Sequence, residues 1–468
     1  MVFICAVMAV CLIPLVGMTF ARTDETTEKK ELAPLPHIIQ NGEFNARYLS
    51  RLGEYFTDHF AFRQQLVSAD STIRGKVFGV SSVERVTVGK DGWLFYTDTL
   101  DDFTASNKMT ERQLFDIANN LAITQRYVNS RGASFVFTVA PNKNSLYPQY
   151  MSYMYRAAPL GEHNAIRLNG QIESRQINYT DLFALFKSRS DVLYLERDSH
   201  WNNRGALLAC EKILGSAGRQ DVVFDENGGK TVSDYIGDLN SMIYPLASVP
   251  EENTEYDITG YELLPPARTV EDPVIETSCS DGDGTLLMFR DSFGNTMLPF
   301  MAKAYNKACF VRTVPYDIGL YTDIHQPDAV VVEIVERNLD NLLSAPPILE
   351  SDDTELLVTG EAKNAASVTV CEPEENIMYW RFDGSLKEGA VDSESGIYIR
   401  LSFDDGTSVT KEAFTVSNNG NDFGYRAYIN KDTVPYESAS VEIIAMCGGV
   451  PCVIGADSVC FGDIPPAF

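Results

Sequence analysis

Apolar and polar positions follow three successive rhythms along the chain. From 45 to 79, NARYLSRLGEYFTDHFAFRQQLVSADSTIRGKVFG places apolar residues at three- and four-residue spacing, which predicts a helical lead-in. ERVTVGKDGWLFYTD then alternates on either side of Gly89–Gly92, the pattern of a β-hairpin. A further helical stretch runs from Thr110 to Arg131 and stops before Gly132, as a glycine at the helix end predicts.

The second rhythm consists of short apolar runs between helical segments: SFVFTVA (134–140), VLYL (192–195), TLLMF (285–289), ACFVRTV (308–314) and DAVVVEIV (328–335). Runs of this length, rich in β-branched and aromatic residues, predict buried parallel strands, with NNRGALLACEKILGSAG and NTMLPFMAKAYN as helices between them. The fold class is therefore α/β, a parallel sheet flanked by helices over 43–345, and reactive groups are expected at the carboxyl ends of its strands. After Pro346 and Pro347 the rhythm changes to short alternating runs, ELLVTG, SVTVCE, IYIRLSFDDGTSVTKEAFTV, YRAYIN, SVEIIAM and SVCFG, divided by turn residues. This predicts an antiparallel β-sandwich over 350–468, a candidate carbohydrate-binding module or structural cap.

Composition sharpens this division. The formal net charge is −27, and 350–468 holds 21 acidic against 7 basic residues, so about half of the excess lies in the last quarter of the chain. No basic run offsets it, which excludes nucleic acid as a partner. At the other end, MVFICAVMAVCLIPLVGMTFA carries no charge before Arg22 and is long enough to span a bilayer, so 1–21 is expected to be a signal anchor or a cleaved signal peptide. Residues 22–42 are a polar linker, and the body is expected outside the cytoplasm, anchored to the membrane or secreted if the segment is cleaved. Nine cysteines suit an exported chain, and the four in the last part, Cys371, Cys447, Cys452 and Cys460, allow three pairings. A zinc site is the alternative there, although that region has neither C-x-x-C nor histidine.

Two segments carry candidate chemistry. In 289-FRDSFGN-295, Ser292 follows a buried strand and precedes a helix, which exposes its hydroxyl on a sharp turn near helix amides able to hold an oxyanion. A serine hydroxyl needs a base. In 198-DSHW-201, two residues apart on extended backbone face the same side, so Asp198 can orient His200 through Nδ1 and leave Nε2 for Ser292. Each motif has a structural alternative, since Asp291, Ser292 or Asp198 could simply cap a helix.

These residues resemble those of a known family. DSHW and RDSF, with YFTDHFAFR (55–63), GKDGWLFY (89–96), APNKNSLYP (140–148) and VVVEIVERNL (330–339), are similar over 35–345 to the DHHW proteins. That family is related to the alginate O-acetyltransferases of the AlgJ/AlgX type, within the SGNH hydrolase-like superfamily. The resemblance implies Ser292 as nucleophile, His200 as base and Asp198 as its orienting acid, and no cofactor or metal is expected. It implies O-acetyl transfer to, or ester hydrolysis on, a cell-surface polysaccharide, with a membrane-bound O-acyltransferase supplying the acetyl group. The family's G-D-S is here Arg290-Asp291-Ser292. Oxyanion donors expected from these blocks are the Ser292 amide, Asn295 and Asn142, with Asn142 equally readable as a turn residue. Substrate-binding candidates are Trp201, Arg290, Lys143 and Tyr147, and Trp201 also reads as a support beneath His200. Trp93 offers a sugar-stacking face, and Tyr379–Trp380 either a carbohydrate platform or an aromatic core. Glu333 lies at the end of a buried strand, Glu336 and Arg337 read as an ion pair near the site, and Asp58, His59 and Arg63 read as structural. The alternative function is a non-catalytic glycan-binding or assembly protein on the same fold.

Overall fold

The computed structural model describes residues 32–40, 43–75, 80–156, 162–244, 246, 248–373, 376–418, 420–434 and 436–464, with Met8, Leu12 and 16–18. Most of the apolar run 1–21 thus lies outside the described residues, among which no helix is long and apolar enough to cross a membrane.

The lead-in forms helices α1 (Tyr48–His59) and α2 (Arg63–Ile73). Asp58 accepts from the Ala33 backbone, and the His59 ring stacks on Tyr55, so this polar cluster serves packing. The predicted hairpin is β1 (Val86–Val88) and β2 (Leu94–Tyr96). Helix α3 (Glu111–Ser130) begins in a capping box: the Gln113 amide donates to Thr110 Oγ1 and the Thr110 amide to Gln113 Oε1, which satisfies two otherwise orphaned donors.

The central sheet comprises β3 (Ser134–Ala140), β4 (Tyr179–Thr180), β7 (Tyr261–Leu264), β8 (Val274–Cys279), β9 (Thr285–Phe289), β10 (Lys307–Val311) and β11 (Ala329–Val335). Its order is β4-β3-β11-β9-β10-β8-β7. The first five run parallel, and β8 and β7 extend the sheet antiparallel. Helices α4 (Asn203–Ser216) and α6 (Gly294–Ala304) cover one face, together with Met288 and Val331 of the sheet, and α3 covers the other. Between α4 and β7 the chain inserts a hairpin, β5 (Lys230–Tyr235) and β6 (Glu251–Glu255), with the short helix α5 (Asp238–Ile243) between its strands.

One expected strand is not in the sheet. VLYL makes only an isolated bridge, Tyr194 to Trp201, because 193–202 folds back on itself: Leu195 N donates to His200 O and Asn202 N to Leu193 O. Neighbouring groups take its other polar atoms, with Leu193 N donating to Tyr147 Oη. The place beside β3 goes to Tyr179–Thr180.

The C-terminal region is antiparallel throughout: β12 (Ala366–Cys371), β13 (Tyr379–Leu386), β14 (Ile397–Ser402), β15 (Ser408–Asn418), β16 (Asn421–Asn430), β17 (Ser438–Cys447) and β18 (Val450–Cys460). They form one curled sheet in the order β12-β13-β16-β15-β14-β17-β18. The curl nearly closes, because Lys363 N and Ala365 N, just before β12, donate to Val453 O and Ile454 O of β18. ELLVTG forms no strand, although Thr359 N and Gly360 N donate to Pro451 O. Tyr379 is core, while Trp380 stacks on Phe461 with Lys431 over its ring. All seven described cysteines are free thiols.

Helix α3 joins the two regions. Asn120 Nδ2 donates to Thr415 O of β15 and Asn120 Oδ1 accepts from Thr415 N, while buried Arg112 donates to the carbonyls of Ser393 and Ser395 and pairs with Asp116 at 3.0 Å. A buried carboxylate left without its cation is costly, so Arg112→Met is expected to lower stability by about 3–5 kcal/mol. Thermal unfolding checks this: the Arg112→Met/Asp116→Leu double variant should recover part of the loss, and a single variant as stable as wild type would refute it.

Candidate active site

The parallel strands β3, β9 and β11 all end at one edge of the sheet, and the residues that follow them, Asn142, Ser292 and Arg337, come from three of the quoted blocks. Ser292 sits between β9 and α6. Its turn is held by Asp291, whose Oδ1 accepts from Phe293 N at 2.8 Å and whose Oδ2 accepts from Val335 N at 2.7 Å, while Asp291 N donates to Glu333. Burial and the Asp291 charge push the Glu333 carboxyl well above the usual range. The turn does not need glycine at 290, which is not among the residues with positive φ. The close approach falls at Gly294, where a Cβ would lie 2.7 Å from the Arg290 side chain.

The fold-back of 193–202 carries Asp198 and His200 to the same edge. His200 Nε2 lies 2.8 Å from Ser292 Oγ, and His200 Nδ1 lies 2.7 Å from Asp198 Oδ1. Helix α4 is capped by Asn202, whose side chain accepts from Gly205 N, so Asp198 is not used as its cap. His200 N also donates to Asp198 Oδ1, and Tyr235 Oη and Asp238 N donate to Oδ2 at 3.1 and 2.9 Å. Burial alone would raise the Asp198 pKa, but the His200 hydrogen bond and charge and the two backbone donors hold it well below the carboxylate range. For His200, burial acts downward, yet the Asp198 hydrogen bond and charge, with the Asp238 charge, leave it above the ordinary imidazole value.

Tyr235 and Asp238 come from the inserted hairpin and its helix, and the sequence alone did not single them out. Asp238 accepts from Ser199 N and Ser199 Oγ, and its Oδ2 lies 3.8 Å from His200 Nδ1. The one local signal is Gly237, where a Cβ would strike Arg197 O at 2.3 Å: only glycine lets the Asp238 amide reach Asp198. Glu251 of the same insert accepts from Glu196 N at 2.6 Å and from Arg197 N. Asp198, His200 and Asp238 also place three ligand atoms within 4.8 Å of one another, the one such group among the described residues, but the bonds above already occupy both Asp198 oxygens.

Several expected contacts have other tasks. Lys143 is 3% exposed, and its ammonium donates to the carbonyls of Leu195, Glu196 and Asp198, holding the loop from below rather than meeting a substrate. Burial pushes its pKa down to about 8 against the pull of Asp198. Tyr147 accepts from Leu193 N and packs against Tyr194, so it too is framework. Asn142 is fully buried, with its amide turned to Asp102 Oδ2, which removes it as an oxyanion donor. Trp93 stacks on Tyr150 at 4.1 Å and offers no sugar face. Trp201 is 1% exposed and meets Phe293 edge-on, and Phe293 in turn packs on His200, so Trp201 supports the His200 ring. Arg290 is buried beneath the turn, bound to Asn295, the Asp291 carbonyl and the Val270 carbonyl. Asn295 lines the cleft, but its amide is pinned between Arg290 and Glu271. Glu336 turns inward to Asn142 N, Ser145 and His163, and Arg337 instead lies over the rings of Tyr96 and Phe293. Among the described residues the Ser292 backbone N–H has no partner, which leaves it available to an oxyanion.

Around Ser292 opens a cleft of about 1060 Å³, walled by the loops after β9 and β11 and by the insert. A serine, a histidine and a buried carboxylate in hydrogen-bonded series at a strand-end cleft can activate a hydroxyl for acyl chemistry. Comparison with known proteins gives the class first: residues 86–251 match the family model described as SGNH hydrolase-like domain, acetyltransferase AlgX. The chain therefore carries an SGNH hydrolase-like domain followed by the antiparallel, nearly closed sheet. It is similar to the probable alginate O-acetylase AlgJ of Pseudomonas aeruginosa, 30% identical over 144 residues, and to that of Pseudomonas putida, 25% identical over 169 residues. These matches cover 30% and 34% of this chain, and the chain spans 34% and 42% of the lengths of those relatives. Among solved structures, a DHHW family protein from Eubacterium siraeum is 16% identical with a TM-score of 0.39, covering 48% of this chain and 85% of that one.

The two carboxylates make a direct prediction about His200. Asp238→Asn removes one of the anions that hold the imidazole up, so the His200 pKa, followed by NMR, should fall toward or below the ordinary value of about 6.5. No change on substitution would show that Asp238 does not act on His200.

Proposed function

We propose that this protein is a serine-dependent O-acetyltransferase or acetylesterase acting on a cell-surface polysaccharide. The observation that carries the reading is the hydrogen-bonded series Ser292 Oγ, His200 Nε2, His200 Nδ1, Asp198 Oδ1 at the carboxyl edge of the sheet. Similarity to proteins named as probable alginate O-acetylases supports acetyl as the group moved.

Ser292 Oγ attacks the acetyl carbonyl while His200 Nε2 takes its proton, and the tetrahedral oxyanion is met by the Ser292 amide. Collapse breaks the bond to the donor, whose leaving oxygen receives the proton from His200. A sugar hydroxyl or water then gives its proton to His200 and attacks the serine ester, and the acetyl group leaves on the acceptor while Ser292 regains its proton. Asp198 keeps the Nδ1–H tautomer and stabilises the imidazolium at each stage. In this reading the protein works outside the cytoplasm, held at the membrane by 1–21 or released if that segment is cleaved. A membrane-bound O-acyltransferase delivers the acetyl group.

Release of p-nitrophenol from p-nitrophenyl acetate tests the chemistry. Ser292→Ala and His200→Ala are each expected to lower kcat by about 10³-fold or more, whereas rates equal to wild type would refute the enzymatic reading. His200 must be neutral to accept a proton, so activity should rise with pH through its folded pKa, with an acid limb above about 6.5. In Asp238→Asn that limb should move to lower pH.

A further inference from the structure

Resting on the proposed activity, the walls of the cleft assign the acceptor's chemical class. We infer that the acceptor is an uncharged, hydroxyl-rich glycan of hexose or N-acetylhexosamine units, and not a polyuronate of the kind for which the AlgJ relatives are named.

Charge carries the first part of the inference. Six carboxylates line the cleft, those of Asp98, Asp198, Asp238, Glu271, Asp291 and Asp340, against three guanidiniums, Arg290, Arg312 and Arg337. Two of the guanidiniums are already committed. Arg290 is 1% exposed, with both of its terminal nitrogens bound to Asn295 and backbone carbonyls, and Arg312 is paired with Glu271 at 2.8 Å. Arg337 lies over the Tyr96 ring without an ion pair among the described residues, and Asp98 beside the Tyr96 hydroxyl opposes its charge there. Asp98 and Asp340 are exposed on the same wall. A chain bearing one carboxylate per sugar would meet this excess of like charge inside a protein whose formal net charge is −27.

The neutral groups carry the second part. The amides of Asn338 and Asn341 line the cleft with no hydrogen-bond partner among the described residues, and Asn253 presents an Nδ2 whose partner oxygen is engaged elsewhere, by Asn203 N and Thr254 N. The amides of Asn338 and Asn341 offer donors and an acceptor, and that of Asn253 offers donors, the complement of a sugar hydroxyl or N-acetyl group. Tyr96 and Tyr256, both half-buried, add aromatic surface to the wall.

The test separates acceptor binding from catalysis. Full-length Ser292→Ala, which cannot turn over, is titrated calorimetrically with cellohexaose, chitohexaose and a hexamer of mannuronate at low ionic strength. At least one uncharged hexamer is expected to bind about tenfold or more tightly than the uronate, and the gap should narrow with added salt. In an Asp98→Asn/Asp340→Asn background, uronate binding should strengthen while uncharged binding holds. Equal or tighter binding of the uronate, or no binding of either uncharged hexamer, would overturn the inference. Neither outcome touches the chemistry of Ser292, which p-nitrophenol release decides by itself.

Discussion

The structure of the site depends on the solvation of one carboxylate. Asp198 is almost fully buried, and an ionised carboxylate removed from water must be met by donors or lose its charge. Here four donors meet it: the His200 ring and backbone on one oxygen, and the Tyr235 hydroxyl and Asp238 backbone on the other. Two of the four come from a segment some 40 residues downstream, so the seated insert completes the solvation of the anion that orients His200. The same requirement explains Glu251 on the loop's amides and Lys143 on its carbonyls. A ten-residue fold-back outside regular structure has both of its polar edges satisfied by side chains from elsewhere.

This arrangement places a segment without regular secondary structure, largely buried, under the control of rigid elements. Lys143 lies just after β3, and Ser292 follows β9 two strands away in the sheet, so Ser292 and the prop beneath the His200 loop are both referred to the same parallel core. Aromatic packing finishes the alignment: Phe293, next to Ser292, packs on both the His200 ring and the Trp201 ring. The distance between Oγ and Nε2 is therefore set by core packing more than by either residue's own rotamer freedom.

Much of this was legible in the sequence because it is local. Four of the five apolar runs are strands of the central sheet, since burial on both faces leaves an unbroken hydrophobic signature. VLYL has the same signature and a different fate: its apolar residues are buried, but its backbone is satisfied by Tyr147 and by the chain doubling back, and periodicity reports burial without reporting what a backbone bonds to. The Asp198–His200 spacing and the strand-end position of Ser292 could be read because each involves neighbouring residues. Tyr235 and Asp238 could not, because they lie in a polar hairpin whose meaning comes from where it docks. Lys143, Tyr147 and Asn142 show the converse limit: polar residues within a recognisable block look like substrate contacts, yet all three point into the protein.

The seam along helix α3 has its own consequence. Tyr379, Phe414 and Tyr428 of the curled sheet belong to the same apolar cluster as Phe135, Phe137 and Val330 of the parallel sheet. The change of rhythm after Pro347 marks a boundary in sequence but not in energy. As the chain emerges from its N-terminal end, the half that carries Ser292 has an exposed oily flank until residues 379–428 have followed. The order of synthesis thus leaves the half that carries Ser292 waiting on its successor, and the last-made sheet serves as the closing wall of the first-made core.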